Sequence, residues 1–178
     1  MPASIYSANA FYSPPDPPES AGGQACTHNR VVASRSHWGL TPRQSIEAEC
    51  GRRGRRAVVA GCAQLLAGAD TDDKLVMALG GPAARRVLDR GPDSDQRYWL
   101  RVWGARGLLW VWDDSGLEAV RRALGDPAWR VREMATKVVA RHLLGDLLTA
   151  VAELRADPIP RVRAAATRAV AVLTHANA

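Results

Sequence analysis

The chain has few of the residues that usually carry chemistry. Its 178 residues include three cysteines, four histidines, two lysines and one phenylalanine. Cys26, Cys50 and Cys62 are odd in number and widely spaced. No CxxC occurs, and none of His28, His37, His142 or His175 stands at metal-ligand spacing from them. That pattern excludes a zinc ribbon and a disulfide framework, and it fits free thiols in a reducing compartment. No apolar run approaches the roughly 18 residues of a membrane span. The first residues lack the basic and apolar regions of a signal peptide, so a cytoplasmic protein without a membrane partner is expected. GxSxG, P-loop and HExxH signatures are also missing. The acidic doublets Asp72-Asp73 and Asp113-Asp114 sit at predicted helix starts, where carboxylates are stabilised anyway. The sequence therefore assigns no catalytic residue, no metal and no cofactor.

What the chain does have is arginine and repetition. Twenty-two arginines give a formal net charge of +6 and a pI near 9.9. Such a balance permits attraction to nucleic acid or another polyanion, although a GC-rich coding sequence would produce the same bias. Residues 1–38 form a separate compositional zone. "FYSPPDPPESAGG" (Phe11 to Gly23) holds four prolines and no periodic apolar pattern. Little burial is available there to offset chain entropy, and a disordered Pro/Ser-rich tail is expected.

From Thr41 the pattern turns helical. Thr41 caps, Pro42 suits the first helical position and Gln44 completes a capping box. This first helix is expected to stop at Gly51. A second covers about Arg55 to Leu66, a third opens at Thr71 and ends at Gly80-Gly81, and a fourth starts at Pro82. "LLWVWDD" (Leu108 to Asp114) reads as a continuation of helix, so an all-α fold is expected.

"DPAWRVREMATKVVAR" (Asp126 to Arg141) returns 31 residues later as "DPIPRVRAAATRAVAV" (Asp157 to Val172). The same shift brings in an earlier copy: Asp95, Asp126 and Asp157 correspond, as do Arg101, Arg132 and Arg163. The Asp-Pro pairs read as an N-cap followed by a residue preset for the first turn. Val131, Met134, Ala135, Val138, Val139 and His142 form one apolar stripe. No single helix buries such a stripe, so neighbouring units must stack, as in a solenoid.

These segments resemble HEAT repeats of the short bacterial kind, also called bilin-lyase-type repeats. The resemblance covers Asp95 to Leu173 well and Ser45 to Arg90 only by helical pattern. It implies a right-handed α-solenoid over residues 39–178, with degenerate helical pairs over 41–90 and clear repeats over about 91–178. In the family the Asp and Arg hold consecutive turns together, which implies structural roles for Asp95, Asp126, Asp157, Arg101, Arg132 and Arg163. The family serves many unrelated functions, so the resemblance implies no activity. A lyase role has no residue to support it.

Arg106, Lys137 and Arg168 are related by the same shift and lie opposite the stripe. With helices about 8–10 Å apart, they predict an outward row of cations. Arg130 and Arg161 stand beside it, with Trp99 at the equivalent earlier position and Trp129 next to Arg130. The expectation is a non-catalytic module that docks a protein partner on a basic concave face. A solvated face kept soluble by charge, with Glu133 partly neutralising it, is the alternative reading of the same row. A nucleic-acid partner is the other functional candidate, although three phosphate contacts imply a salt slope of only about −2.7. "RRGRR" (Arg52 to Arg56) could add to it, but Arg52 and Arg53 also suit a helix C-terminus. "YWLRVWGARGLLWVW" (Tyr98 to Trp112) places Trp99, Trp103, Leu108 and Trp110 at helical intervals, consistent with core. Its "YWLR", with Trp110 and Asp113, is similar to alkylpurine DNA glycosylases built from HEAT-like repeats. That resemblance implies a base-excision role centred on Asp113. The last helix, Ala- and Val-rich nearly all round, suggests self-association or a partner at that end.

Overall fold

The computed structural model describes residues 39–176. The tail expected over residues 1–38, with Cys26, His28 and His37, lies outside the described residues. Within them the chain is all-helical, with no strand. The helices are α1 (Pro42–Arg53), α2 (Arg55–Leu66), α3 (Asp73–Gly80), α4 (Pro82–Leu88) and α5 (Tyr98–Trp110). They continue with α6 (Leu117–Ala123), α7 (Trp129–His142), α8 (Leu148–Glu153) and α9 (Pro160–Ala176). Short 3-10 turns lead into α5, α6 and α8 and link α8 to α9. No helix is long and apolar enough to cross a membrane.

Local chemistry sets most of the boundaries. Thr41 accepts from the Gln44 amide while the Gln44 side chain accepts from the Thr41 amide, which closes the capping box of α1. Contrary to expectation, α1 passes through Gly51. Arg52 and Arg53 both pair with the buried Glu49 one turn back and hold the last turn helical. The stop falls on Gly54, at φ 87°, whose amide reaches the Cys50 carbonyl. The helical reading of Leu108 to Asp114 also fails past Trp110. Val111 is extended, at φ −130° and ψ 132°, and Asp113 caps the following turn by accepting from the Ser115 amide.

The Asp-Pro pairs are not the start of a helix. Asp126 accepts from the Ala128 amide and Asp157 from the Ile159 amide, both at 2.8 Å. Each closes a tight turn, and the helix begins two or three residues later. The expected helix starts therefore lie too early: Ala128 is the N-cap of α7 and no side chain caps it.

Val58, Val59, Cys62 and Leu65 of α2 are buried against a core that continues through Leu75, Leu79, Leu108, Val120, Val131, Val138 and Leu147 to Leu173. α2 packs on α5, α5 on α7, and α7 on α9. The first of these contacts depends on glycine. A Cβ on Gly104 would lie 2.8 Å from the Cys62 carbonyl oxygen, and one on Gly107 would overlap the Cys62 sulfur. Burial pushes the Cys62 thiol up to about 12, so it stays protonated and inert.

The repeat is visible in the fold. α5, α7 and α9 start 31 residues apart, at Tyr98, Trp129 and Pro160; α6 and α8 start at Leu117 and Leu148 with the same spacing. Arg101 contacts Asp126 through Nε at 2.7 Å and a terminal nitrogen at 3.2 Å. Arg132 does the same to Asp157 at 2.7 and 3.0 Å. The remaining guanidinium nitrogen of Arg132 donates to the carbonyls of Asp126 and Pro127, and that of Arg163 to those of Asp157 and Pro158. Arg132 and Arg163 thus tie their own turns to their own helices, while Arg101 and Arg132 grip the next turn. Asp95 does not join this series. It is exposed, Ser94 caps its turn, and position 70, where the preceding arginine would stand, is Asp70. There Arg97 reaches back to Asp70, with the charges reversed.

Candidate functional site

The expected row of outward cations breaks up. Arg106 is turned inward: it donates to the carbonyl of Leu79 in the last turn of α3, and its Nε is buried with no hydrogen-bond partner among the described residues. Burial lowers the guanidinium pKa below the ordinary arginine value. The reason is packing. α3 and α4 lie against α5 and cover the face that carries Arg106. Lys137 is paired with Glu133 at 2.8 Å, so its charge is largely matched. Arg168 is exposed, with no ion pair among the described residues. On α9 that outward face also carries Thr167 and Thr174, so its Ala and Val run is interrupted.

The residues flanking that row come together instead. The guanidinium of Arg130 lies 5.3 Å from the ring centre of Trp99 and 4.3 Å from that of Trp129, while Arg161 lies 5.6 Å from Trp129. Trp99 in turn stacks with Tyr98 at 5.4 Å and with Trp103 at 6.2 Å. The result is a continuous series, Trp103, Trp99, Arg130, Trp129, Arg161, running across the N-terminal ends of α5, α7 and α9. The repeat builds it, because Trp99, Arg130 and Arg161 occupy one repeat position and Tyr98, Trp129 and Pro160 the position before. Each cation–π contact contributes about 0.5–1 kcal/mol where exposed and about 2 where desolvated. Glu133 sits next to the series at 3.6 Å from Arg161. Arg130 has no carboxylate partner among the described residues.

At the α5 end of this series lies an open cavity of about 500 Å³. Gln96, Trp99, Trp103 and Arg106 line it from α5 and the turn before it, and Arg86 and Arg90 line it from α4 and the residues just beyond. Three arginines and no carboxylate border it. Arg86, Arg90, Gln96 and Trp103 were not singled out from the sequence as site residues. The signal was present, since positions 96, 99, 103 and 106 fall on one helical face and 86 and 90 are one turn apart.

Of the residues of the glycosylase comparison, Trp99 lines the cavity but Trp110 and Asp113 do not join it there. Trp110 is exposed beneath Arg43, at 5.7 Å. Asp113 accepts from Ser115, which holds its carboxyl below the usual range, and it lies 3.9 Å from Arg56. Neither lines the cavity. Among the described residues no group of three His, Cys, Asp or Glu side chains is placed to hold a metal ion. His142 donates from Nε2 to the Leu108 carbonyl at 2.8 Å and stacks on Trp112 at 5.0 Å, a packing role between helices. No family model matches the chain, and neither the curated proteins nor the solved structures include a significant match.

Proposed function

We propose that this chain is a short α-solenoid of HEAT-like helix pairs acting as a non-catalytic binding module. In this reading an acidic segment of a protein partner docks along the Trp99, Arg130, Trp129, Arg161 series. The recurrence of helix starts every 31 residues supports the solenoid, and so do the Arg–Asp contacts between successive turns. The observation that carries the binding role is the alternation of tryptophan and guanidinium. A guanidinium held by its face against an indole keeps its N–H edge free, and that edge matches a carboxylate in two-point geometry. Arg130 is in this state, between two tryptophans and without a carboxylate of its own among the described residues.

The nucleic-acid reading draws on the same chemistry, because stacked aromatics interleaved with cations also suit single strands. It is favoured by cations without an ion pair among the described residues, including Arg86, Arg90, Arg130 and Arg168. Titrating the full chain with a fluorescent polyglutamate-rich peptide and with short single- and double-stranded DNA and RNA separates the two readings. The titration is run at two salt concentrations beside an Arg130→Glu, Arg161→Glu variant. The protein-docking reading expects peptide binding that is lost in the variant. Preference for a nucleic acid over the peptide, also lost in the variant, would replace it. Binding of either probe that survives the variant would remove the series from the site.

A further inference from the structure

The cavity beside Arg106 has a composition that protein docking does not require. Arg106 is a cation largely withdrawn from water; among the described residues its hydrogen bond goes to a neutral carbonyl and its buried Nε is unsatisfied. A buried charge in that state is costly unless an anion meets it. Arg86 and Arg90 border the same space, exposed and without ion pairs among the described residues. The neighbouring arginine Arg85, which does not line the cavity, is matched by Asp89 at 3.0 Å. Trp99 and Trp103 supply an aromatic wall and Gln96 an amide. The volume, about 500 Å³, lies within the roughly 300–1,000 Å³ of small-molecule sites.

We infer that this cavity binds a small phosphorylated ring compound, its phosphate held by Arg86, Arg90 and Arg106 and its ring against Trp99 and Trp103. Trp99 is shared with the series above, but Arg86, Arg90 and Arg106 are not part of it. Trp103 also belongs to that series, so it is the phosphate that is recognised by residues the docking reading does not use. Nothing in the lining distinguishes a purine or pyrimidine ring from a plain aryl ring, so the shared chemistry is a ring bearing a phosphate group.

The test is calorimetric titration of the full chain, with tryptophan fluorescence as a second readout. The probes are adenosine monophosphate, phenyl phosphate, adenosine and inorganic phosphate. Saturable binding of one or both ring phosphates is expected, with adenosine and inorganic phosphate each weaker by about tenfold or more. Binding of adenosine monophosphate alone would mark a nucleotide site; equal binding of both would mark a general aryl phosphate site. Arg86→Gln with Arg90→Gln alters only exposed side chains, leaves the core intact, and should weaken the ring phosphates about tenfold or more. Arg106→Met should do the same, with folding checked by circular dichroism. Arg161→Glu should leave these affinities unchanged while weakening the acidic peptide, which keeps this inference separable from the docking reading. Three results would overturn the inference: no binding of either ring phosphate at millimolar concentration and low salt, ring phosphates no tighter than inorganic phosphate, or full affinity in the Arg86, Arg90 double variant.

Discussion

From α5 to α9 each successive turn is gripped by a two-point arginine contact, whereas from α1 to α5 the helices are joined by close backbone approach and by ion pairs at the surface. The Arg132–Asp157 contact has side chains 12% and 3% exposed; in the Arg97–Asp70 contact the aspartate is 82% exposed. What replaces the buried contacts in the first half is the glycine face of α5 pressed on Cys62. Similar helix stacking is therefore reached by two routes. One specifies register through directional charged hydrogen bonds, and the other through backbone proximity that only glycine allows. The cavity lies where α3 and α4 meet α5, at the junction of the two regimes. There the regular pattern gives out, and a half-buried arginine has no matching acid among the described residues.

The comparison is broken most severely by Asp157→Ala. It leaves Arg132 buried without its carboxylate and removes the acceptor of the Ile159 amide. A loss of about 3–5 kcal/mol is expected in urea unfolding. Asp126→Ala acts on a slightly more exposed contact and should fall at or below the lower end of that range. Gly107→Ala tests the other route. Overlap with Cys62 should cost about 1–3 kcal/mol, and Cys62→Ala in the same chain should recover part of it. Weakest of the stability effects is Asp70→Ala, expected to cost about 0–1 kcal/mol because the contact is mostly in water. Equal losses from Asp70→Ala and Asp157→Ala would erase the distinction.

A pH series sharpens the same contrast. The hydrogen bonds from Arg132 hold the Asp157 carboxyl below its ordinary value. A lowered folded-state pKa means that the unfolded chain takes up the proton first. The stability Asp157 contributes is therefore complete above the unfolded value of about 3.9 and is lost as pH falls through the lower folded value. Asp157→Asn with Arg132→Gln should flatten that part of the acid unfolding curve. Asp70→Asn should leave it unchanged.

Much of this was legible in the sequence because it depends on local spacing. The capping box at Thr41, the starts of α2 and α4, and the apolar stripe of α7 follow from side chains within one or two turns of each other. The 31-residue shift also identified Asp126, Asp157, Arg101 and Arg132, which the structure places in contact across turns. What was not legible depends on which helix covers which face. Arg106, Lys137 and Arg168 are equivalent in the repeat, yet only Arg106 lies under α3 and α4, so only Arg106 is turned inward. Gly104 and Gly107 look unremarkable within "VWGARGLL", since their importance lies in what approaches them. Asp95 was included by the repeat and excluded by a single aspartate, Asp70, at the place where an arginine would have been needed.

The double grip of Arg132 also bears on how the chain opens. Its guanidinium holds the carbonyls of Asp126 and Pro127 with one nitrogen and the carboxylate of Asp157 with the other two. Neither turn can loosen without disturbing the same side chain. Amide protons of α7 and of the first turns of α9 should therefore exchange with solvent at a common opening free energy, as one cooperative unit. The amides of α1, joined to the rest without such a clasp, should exchange separately and sooner.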